Sequence, residues 1–213
     1  MIRLGLAASC FGYEAAPGAT FTRKLAELFV DRATDHRKVA RKNAGRDGGM
    51  SAQFGDERLA RLYRYWWQKR GDRAAPHRAD LSPAEIPDLL PIMNLLDVSW
   101  EPLTFRHRLV GTELVEWMKR DVTGKMVNEA LYGRAAGVII DGLSRVATEV
   151  KPYRRRSRLD WQGREWQAVE SLELPLIDDA GRTVMLLRGA AHSTAGPDFP
   201  DRVEFTPLGP PEK

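Results

Sequence analysis

The apolar positions change their period along the chain, and each change marks an element. Leu59, Leu62, Tyr63 and Trp66 recur at i, i+3, i+4 and i+7, which predicts an amphipathic helix over Asp56–Arg70. Asp56 is placed to cap it, Gly71 to end it, and Lys69 and Arg70 suit the negative end of its dipole. Residues 75–80 read as an extended connector. Ser82-Pro83-Ala84-Glu85 has the spacing of a capping box with proline in the first turn, and Pro87 and Pro91 hold that helix to about two turns.

Strand patterning follows. Ile92–Trp100 and Thr104–Val110 read as a hairpin around Glu101-Pro102. Thr112 is placed to cap a short helix, Glu113–Met118, with Leu114, Trp117 and Met118 facing inward. Residues 119–124 form a loop. Gly133–Val150 carries a helical stripe of Ala136, Val138, Ile139, Ile140, Leu143, Val146 and Ala147. Three strands follow, Tyr153–Trp161, Glu165–Leu176 and Thr183–Ala191, with turns at Gln162-Gly163 and Asp178–Gly181. Leu172, Leu174 and Leu176 alternate as in a half-buried strand, and Pro175 marks an edge or a bulge. Two strands, then helices, then a three-strand meander imply an antiparallel sheet with helices on one face, an α+β architecture.

Outside this span the pattern weakens. Thr22–Asn43 has helical spacing at Leu25, Leu28, Phe29 and Ala33 and ends in a basic run, and residues 44–49 break it. Met50 follows at once and is an alternative start. After His192 the chain is proline-rich. The expected organisation is a basic, poorly ordered extension over 1–53, a domain over 54–192 and a disordered tail over 193–213.

Composition locates the charge. Of 213 residues, 43% are hydrophobic and six are tryptophan, enough for a core. The net charge is +4, and the first fifty residues account for all of it, with nine basic against five acidic side chains. The remainder is balanced and makes no bulk electrostatic claim on nucleic acid or anionic lipid. Cys10 is the only cysteine, which excludes an intrachain disulfide and a cysteine zinc site and fits a reducing cytoplasm. The apolar run Leu4–Ala8 is short for a signal core, and no stretch reaches the length of a membrane span.

Four stretches then carry a resemblance: Leu62-Tyr-Arg-Tyr-Trp66; Pro76-His-Arg-Ala-Asp80 with Pro83 and Ile86-Pro87; Leu90-Pro91 with Asp97; and Phe105-Arg-His-Arg-Leu-Val-Gly-Thr112. In this order, ahead of Asp121-Val-Thr-Gly-Lys125, they resemble PAS domains, and more narrowly the mostly single-domain PAS-like proteins common in alphaproteobacteria. The resemblance covers about Leu59 to Ala191. It implies a five-stranded antiparallel sheet with helices cupped over one face, preceded by an amphipathic flanking helix. The space under the helices is where such domains hold haem, flavin or small metabolites. The resemblance also implies signalling through the sheet and the flanking helix, often in a dimer.

The candidate chemistry is sparse. His36, His77, His107 and His192 show no paired-ligand spacing, so no metal site is expected. Haem needs an axial ligand on a helix over the pocket, and residues 133–150 contain no His, Cys or Met. A flavin–thiol adduct needs a cysteine in the domain, and Cys10 lies outside it. There is no phosphate-binding glycine loop and no nucleophile elbow. Arg106 and Arg108 share one strand face and His107 the other. His107 or Arg108 is a candidate contact for an anionic ligand, with an Arg108–Asp97 ion pair as the structural reading. Trp117, Met118, Leu143, Leu172 and Leu186 are candidate lining of a ligand cavity. Arg154–Arg158 reads as a solvated edge strand, or as a phosphate or acidic-partner site. Trp161 and Trp166 flank the following turn, as cross-strand packing or as a stacking platform. Leu62, Tyr65, Trp66 and Trp67 are a candidate surface for a homodimer or another protein. The expected function is a non-catalytic, cytoplasmic sensory or regulatory module that binds a small ligand, a protein partner or both. The alternative is a nucleic-acid- or envelope-associated protein acting through the basic segment 23–46.

Overall fold

The structure, a computed structural model, describes residues 54–159, 164–196, 199–200 and 202–211. Helix α1 (Glu57–Arg70) comes first and a segment of three single 3-10 turns follows it. Strands β1 (Met93–Ser99) and β2 (Thr104–Val110) form the first hairpin. Helices α2 (Thr112–Met118), α3 (Glu129–Tyr132) and α4 (Ala136–Glu149) lead to β3 (Tyr153–Leu159), β4 (Arg164–Ile177), β5 (Thr183–Thr194) and β6 (Glu204–Pro207). One antiparallel sheet results, in the order β2-β1-β5-β4-β3-β6. The closing of β5 onto β1 brings the two predicted strand groups into one sheet.

Most predicted elements form where the pattern placed them, and the departures have local causes. Asp56 caps α1 through its carboxylate, which accepts from the Arg58 N–H, and Gly71 ends the helix at φ 58°. The Ser82–Glu85 segment is one 3-10 turn, Pro83–Glu85, without a side-chain cap from Ser82. Its backbone is held instead by Tyr65: the Ser82 N–H donates to the phenol oxygen at 2.7 Å, and that hydroxyl donates to Glu85 at 2.8 Å. The connector at 75–80 includes a 3-10 turn, Arg78–Asp80. The long helix expected from Gly133 is divided. Gly133, at φ 54°, closes α3, a 3-10 turn follows, and α4 starts at Ala136. Pro175 sits inside β4 but beyond the reach of β3, whose pairing begins at Tyr153 opposite Glu173. The missing N–H therefore removes no ladder bond on that side.

The sheet is covered on both faces. Leu172, Leu174, Leu176, Leu187 and Leu95 face α1 and the 75–92 segment, forming one core with Leu59, Leu62, Tyr63 and Trp66. The indole N–H of Trp66 donates to the Pro175 carbonyl at 2.9 Å. Gly189 is where α1 comes closest: a Cβ there would lie 2.6 Å from Leu62 Cδ2. On the opposite face Leu96, Phe105 and Leu186 pack with Ile139, Leu143 and Val146 of α4, whereas Val138, expected in the same stripe, is half exposed. Gly111 makes the turn from β2 into α2, and a Cβ there would lie 2.3 Å from the Pro91 carbonyl oxygen. No side chain fits that gap.

The proline-rich tail departs from expectation. Glu204–Pro207 is a sixth strand, paired with β3 from Tyr153 to Arg156. Phe205 stacks on Tyr153 at 4.4 Å, Leu208 N–H donates to the Pro152 carbonyl, and Tyr63 hydrogen-bonds the Gly209 carbonyl. Thus β3 is an interior strand along this stretch, and the edge expected at Arg154–Arg158 is occupied. The segments expected as a basic extension, an alternative start at Met50 and a helix over Thr22–Asn43 lie outside the described residues.

Candidate functional site

Alternation along the central strands puts unusual polar groups under the helices. On β4, Val169, Ser171 and Glu173 point away from α1. On β5, Leu186, Arg188, Ala190 and His192 do the same, and on β3 so do Tyr153 and Arg155. Between this surface and α2–α4 lies a cavity of about 60 Å³, room for a few waters or a small molecule. Apolar walls come from Leu114, Met118, Ile139, Val169 and Ala190. Polar walls come from Asn94, Tyr132, Arg155, Arg188 and His192, and Trp117 completes the lining.

These polar groups form two sets. In the first, His107 is buried between Asn94, whose amide lies 3.1 Å from Nδ1, and Tyr132, whose hydroxyl lies 2.9 Å from Nε2. Burial, reinforced by the charge of Arg188, pushes the His107 pKa down to about 4, so the ring is neutral at pH 7. In the second set, Arg188 Nε donates to Glu173 Oε1 at 2.9 Å, and Ser171 donates to the same oxygen at 2.9 Å. Burial opposes the charge on Arg188, but Glu173 outweighs it and raises the guanidinium pKa above its ordinary value. Arg155 has no hydrogen bond or ion pair among the described residues, and its Nε is buried. Burial and then the neighbouring Arg188 lower its pKa to about 10. His192 stacks on Trp117 at 4.7 Å and 15°, and its Nδ1 is buried without a partner. Burial, then Arg188 and Arg155, push its pKa down to about 4.

An antiparallel sheet in which β1 is flanked by β2 and β5, with short helices and one longer helix cupped over a polar-lined cavity, defines a sensor-type α+β module. A family model described as PAS domain matches residues 56–190, and the chain belongs to the PAS domain family. No curated protein and no solved structure matches it.

The residues singled out from sequence are dispersed by the fold. Trp117 and Met118 line the cavity. His107 stands behind it, reaching the lining through Asn94 and Tyr132. Arg108 points to the outer face, more than half exposed, 3.4 Å from Asp97, which is the structural reading of that residue. Leu143 and Leu186 are packed in the α4-side core. Leu172 faces α1, on the wrong side of the sheet to line the cavity. The surface expected on α1 is corrected as well: Leu62, Tyr65 and Trp66 are buried in the chain's own core, and only Trp67 is half-buried. Outside residues of α1 are polar, with Arg61 held by Asp88. The Arg154–Arg158 run is not a solvated edge. Arg154 pairs with the buried Glu170, Arg156 with Glu204, and Arg158 with the Gly196 and Phe199 carbonyls, while Arg155 turns inward. The side chains of Trp161 and Trp166, and the basic segment 23–46, lie outside the described residues. Among the described residues no helix is long and apolar enough to cross a membrane.

Proposed function

We propose that this chain is a non-catalytic regulatory PAS module, working in the cytoplasm, that holds a small molecule between the sheet and α2–α4. The observation that carries the reading is the pair of buried polar atoms on cavity-lining residues without partners, Arg155 Nε and His192 Nδ1. Leaving such groups unmatched costs about 1–3 kcal/mol each, which a bound molecule or ordered water recovers. β5 links the cavity to the opposite face. Arg188, Ala190 and His192 line the cavity, while the intervening Gly189 and Ala191 pack toward α1. A shift of β5 on occupancy therefore reaches the core under α1. Native mass spectrometry of freshly purified protein tests it. The expected result is a co-purified small molecule, displaced when Ala190→Phe fills the cavity. A bare polypeptide mass, together with a melting temperature that no metabolite in a broad panel raises, overturns it.

A further inference from the structure

The charge inside the cavity does not balance. Arg155 and Arg188 both line it, and the one carboxylate that acts on both is Glu173, which Arg188 already engages. Tyr132 and Asn94 line it too, both neutral groups that stabilise no cation strongly. His107 and His192 are neutral at pH 7 and add no positive charge. The sum is one uncompensated guanidinium. It belongs to Arg155, which no described side chain or backbone oxygen meets. Arg155 is half-buried with its Nε closed off from solvent, and an unpaired cation so placed is costly enough that a counter-anion is the expected complement.

We propose that the cavity is a site for a small organic monocarboxylate, with the carboxylate on Arg155 beside the Arg188–Glu173 pair and a short apolar body against Leu114, Ile139 and Val169. This deepens the ligand reading above and rests on it. The planar guanidinium fork matches a carboxylate with two parallel N–H···O bonds. One negative charge brings the set to neutrality, whereas a dianionic phosphate leaves an excess charge in a buried site. The apolar walls favour a hydrocarbon body over a bare inorganic anion. Arg155 is fixed in this role by its strand position: its register partner is Ser171, one row from the Glu173–Arg188 pair, and β3 is held on both sides by β4 and β6.

The test compares butanoate with butanamide, its uncharged isostere, by isothermal titration calorimetry on the full chain, with inorganic phosphate and chloride as further probes. The expected result is that butanoate binds at least ten-fold more tightly than butanamide, phosphate and chloride. In Arg155→Met that preference falls to about unity. If the variant does not fold, the comparison of butanoate with butanamide on the wild type still decides. Equal binding of butanoate and butanamide overturns the carboxylate assignment and leaves the cavity reading standing. Phosphate or chloride binding as tightly as butanoate overturns the assignment in favour of a simple anion site. Binding of none of the four probes, in a protein that also purifies without a small molecule, overturns both.

Discussion

Glu173 is the residue on which the interior depends. It is 2% exposed, it is paired with Arg188, and it is the carboxylate whose charge also acts on Arg155. Glu173→Gln keeps the shape and removes the charge, leaving the half-buried Arg188 and Arg155 beside each other without a carboxylate. Breaking one side of a buried pair costs about 3–5 kcal/mol, so the variant is expected to lose that much by chemical denaturation. Arg155→Met goes the other way. It replaces an unpaired cation by an apolar side chain of similar length, and stability is expected to hold or rise. A Glu173→Gln variant as stable as wild type, or an Arg155→Met variant that fails to fold, contradicts this account of the charges. Gly111 shows a backbone constraint at the same scale. With a carbonyl oxygen 2.3 Å from where a Cβ stands, Gly111→Ala must displace the turn between β2 and α2.

Among the elements, α1 was the most legible and its role the least. Leu59, Leu62, Tyr63 and Trp66 announced a buried stripe, but a stripe does not say what covers it. It reads equally as a dimer surface, and the sheet's second face took it. Trp66→Ala is expected to cost about 3–5 kcal/mol, because it opens a cavity in that core and removes the hydrogen bond to Pro175. β6 was not legible at all. Its four residues have neither length nor clear alternation, and only the neighbouring β3 supplies its pairing. Missing β6 made β3 look like an edge, and that hid Arg155: a basic run on an edge is solvated, whereas on an interior strand its two faces differ. Phe205→Ala, which removes the stack on Tyr153, is expected to lower stability by about 1–2 kcal/mol and to speed amide exchange in residues 153–156. Unchanged exchange there contradicts β6 as a seal on the sheet edge.

For the molecule as a whole, the order of elements sufficed for the fold class, since two strands, helices and a meander admit few antiparallel arrangements. The cavity was less visible, because it is assembled across strands far apart in sequence. Trp117 and Met118 were found from their helix, while Arg188 and His192 required knowing which face of β5 lies under α2. The buried histidine gives the interior a pH signature. His107 titrates near 6.5 when unfolded and near 4 when folded, so its contribution to stability is complete above 6.5 and is lost as pH falls toward 4. The unfolded chain binds the proton first in that window, for a loss of about 3 kcal/mol. The groups facing it, Asn94 and Tyr132, stay neutral throughout. His107→Gln is expected to show a flatter stability profile between pH 6.5 and 4.5 than wild type. Parallel profiles contradict the assignment of a neutral, buried His107.

The central claim is that a small molecule sits between the sheet and α2–α4, and methyl-resolved NMR during a butanoate titration tests it most directly. The predicted result is saturable shifts at Leu114, Met118, Ile139, Val169 and Ala190, with Leu59 and Leu62 on the opposite face responding only weakly, through β5. Shifts confined to the α1 face, or none at the cavity methyls at any concentration in a protein that also purifies without a small molecule, contradict it.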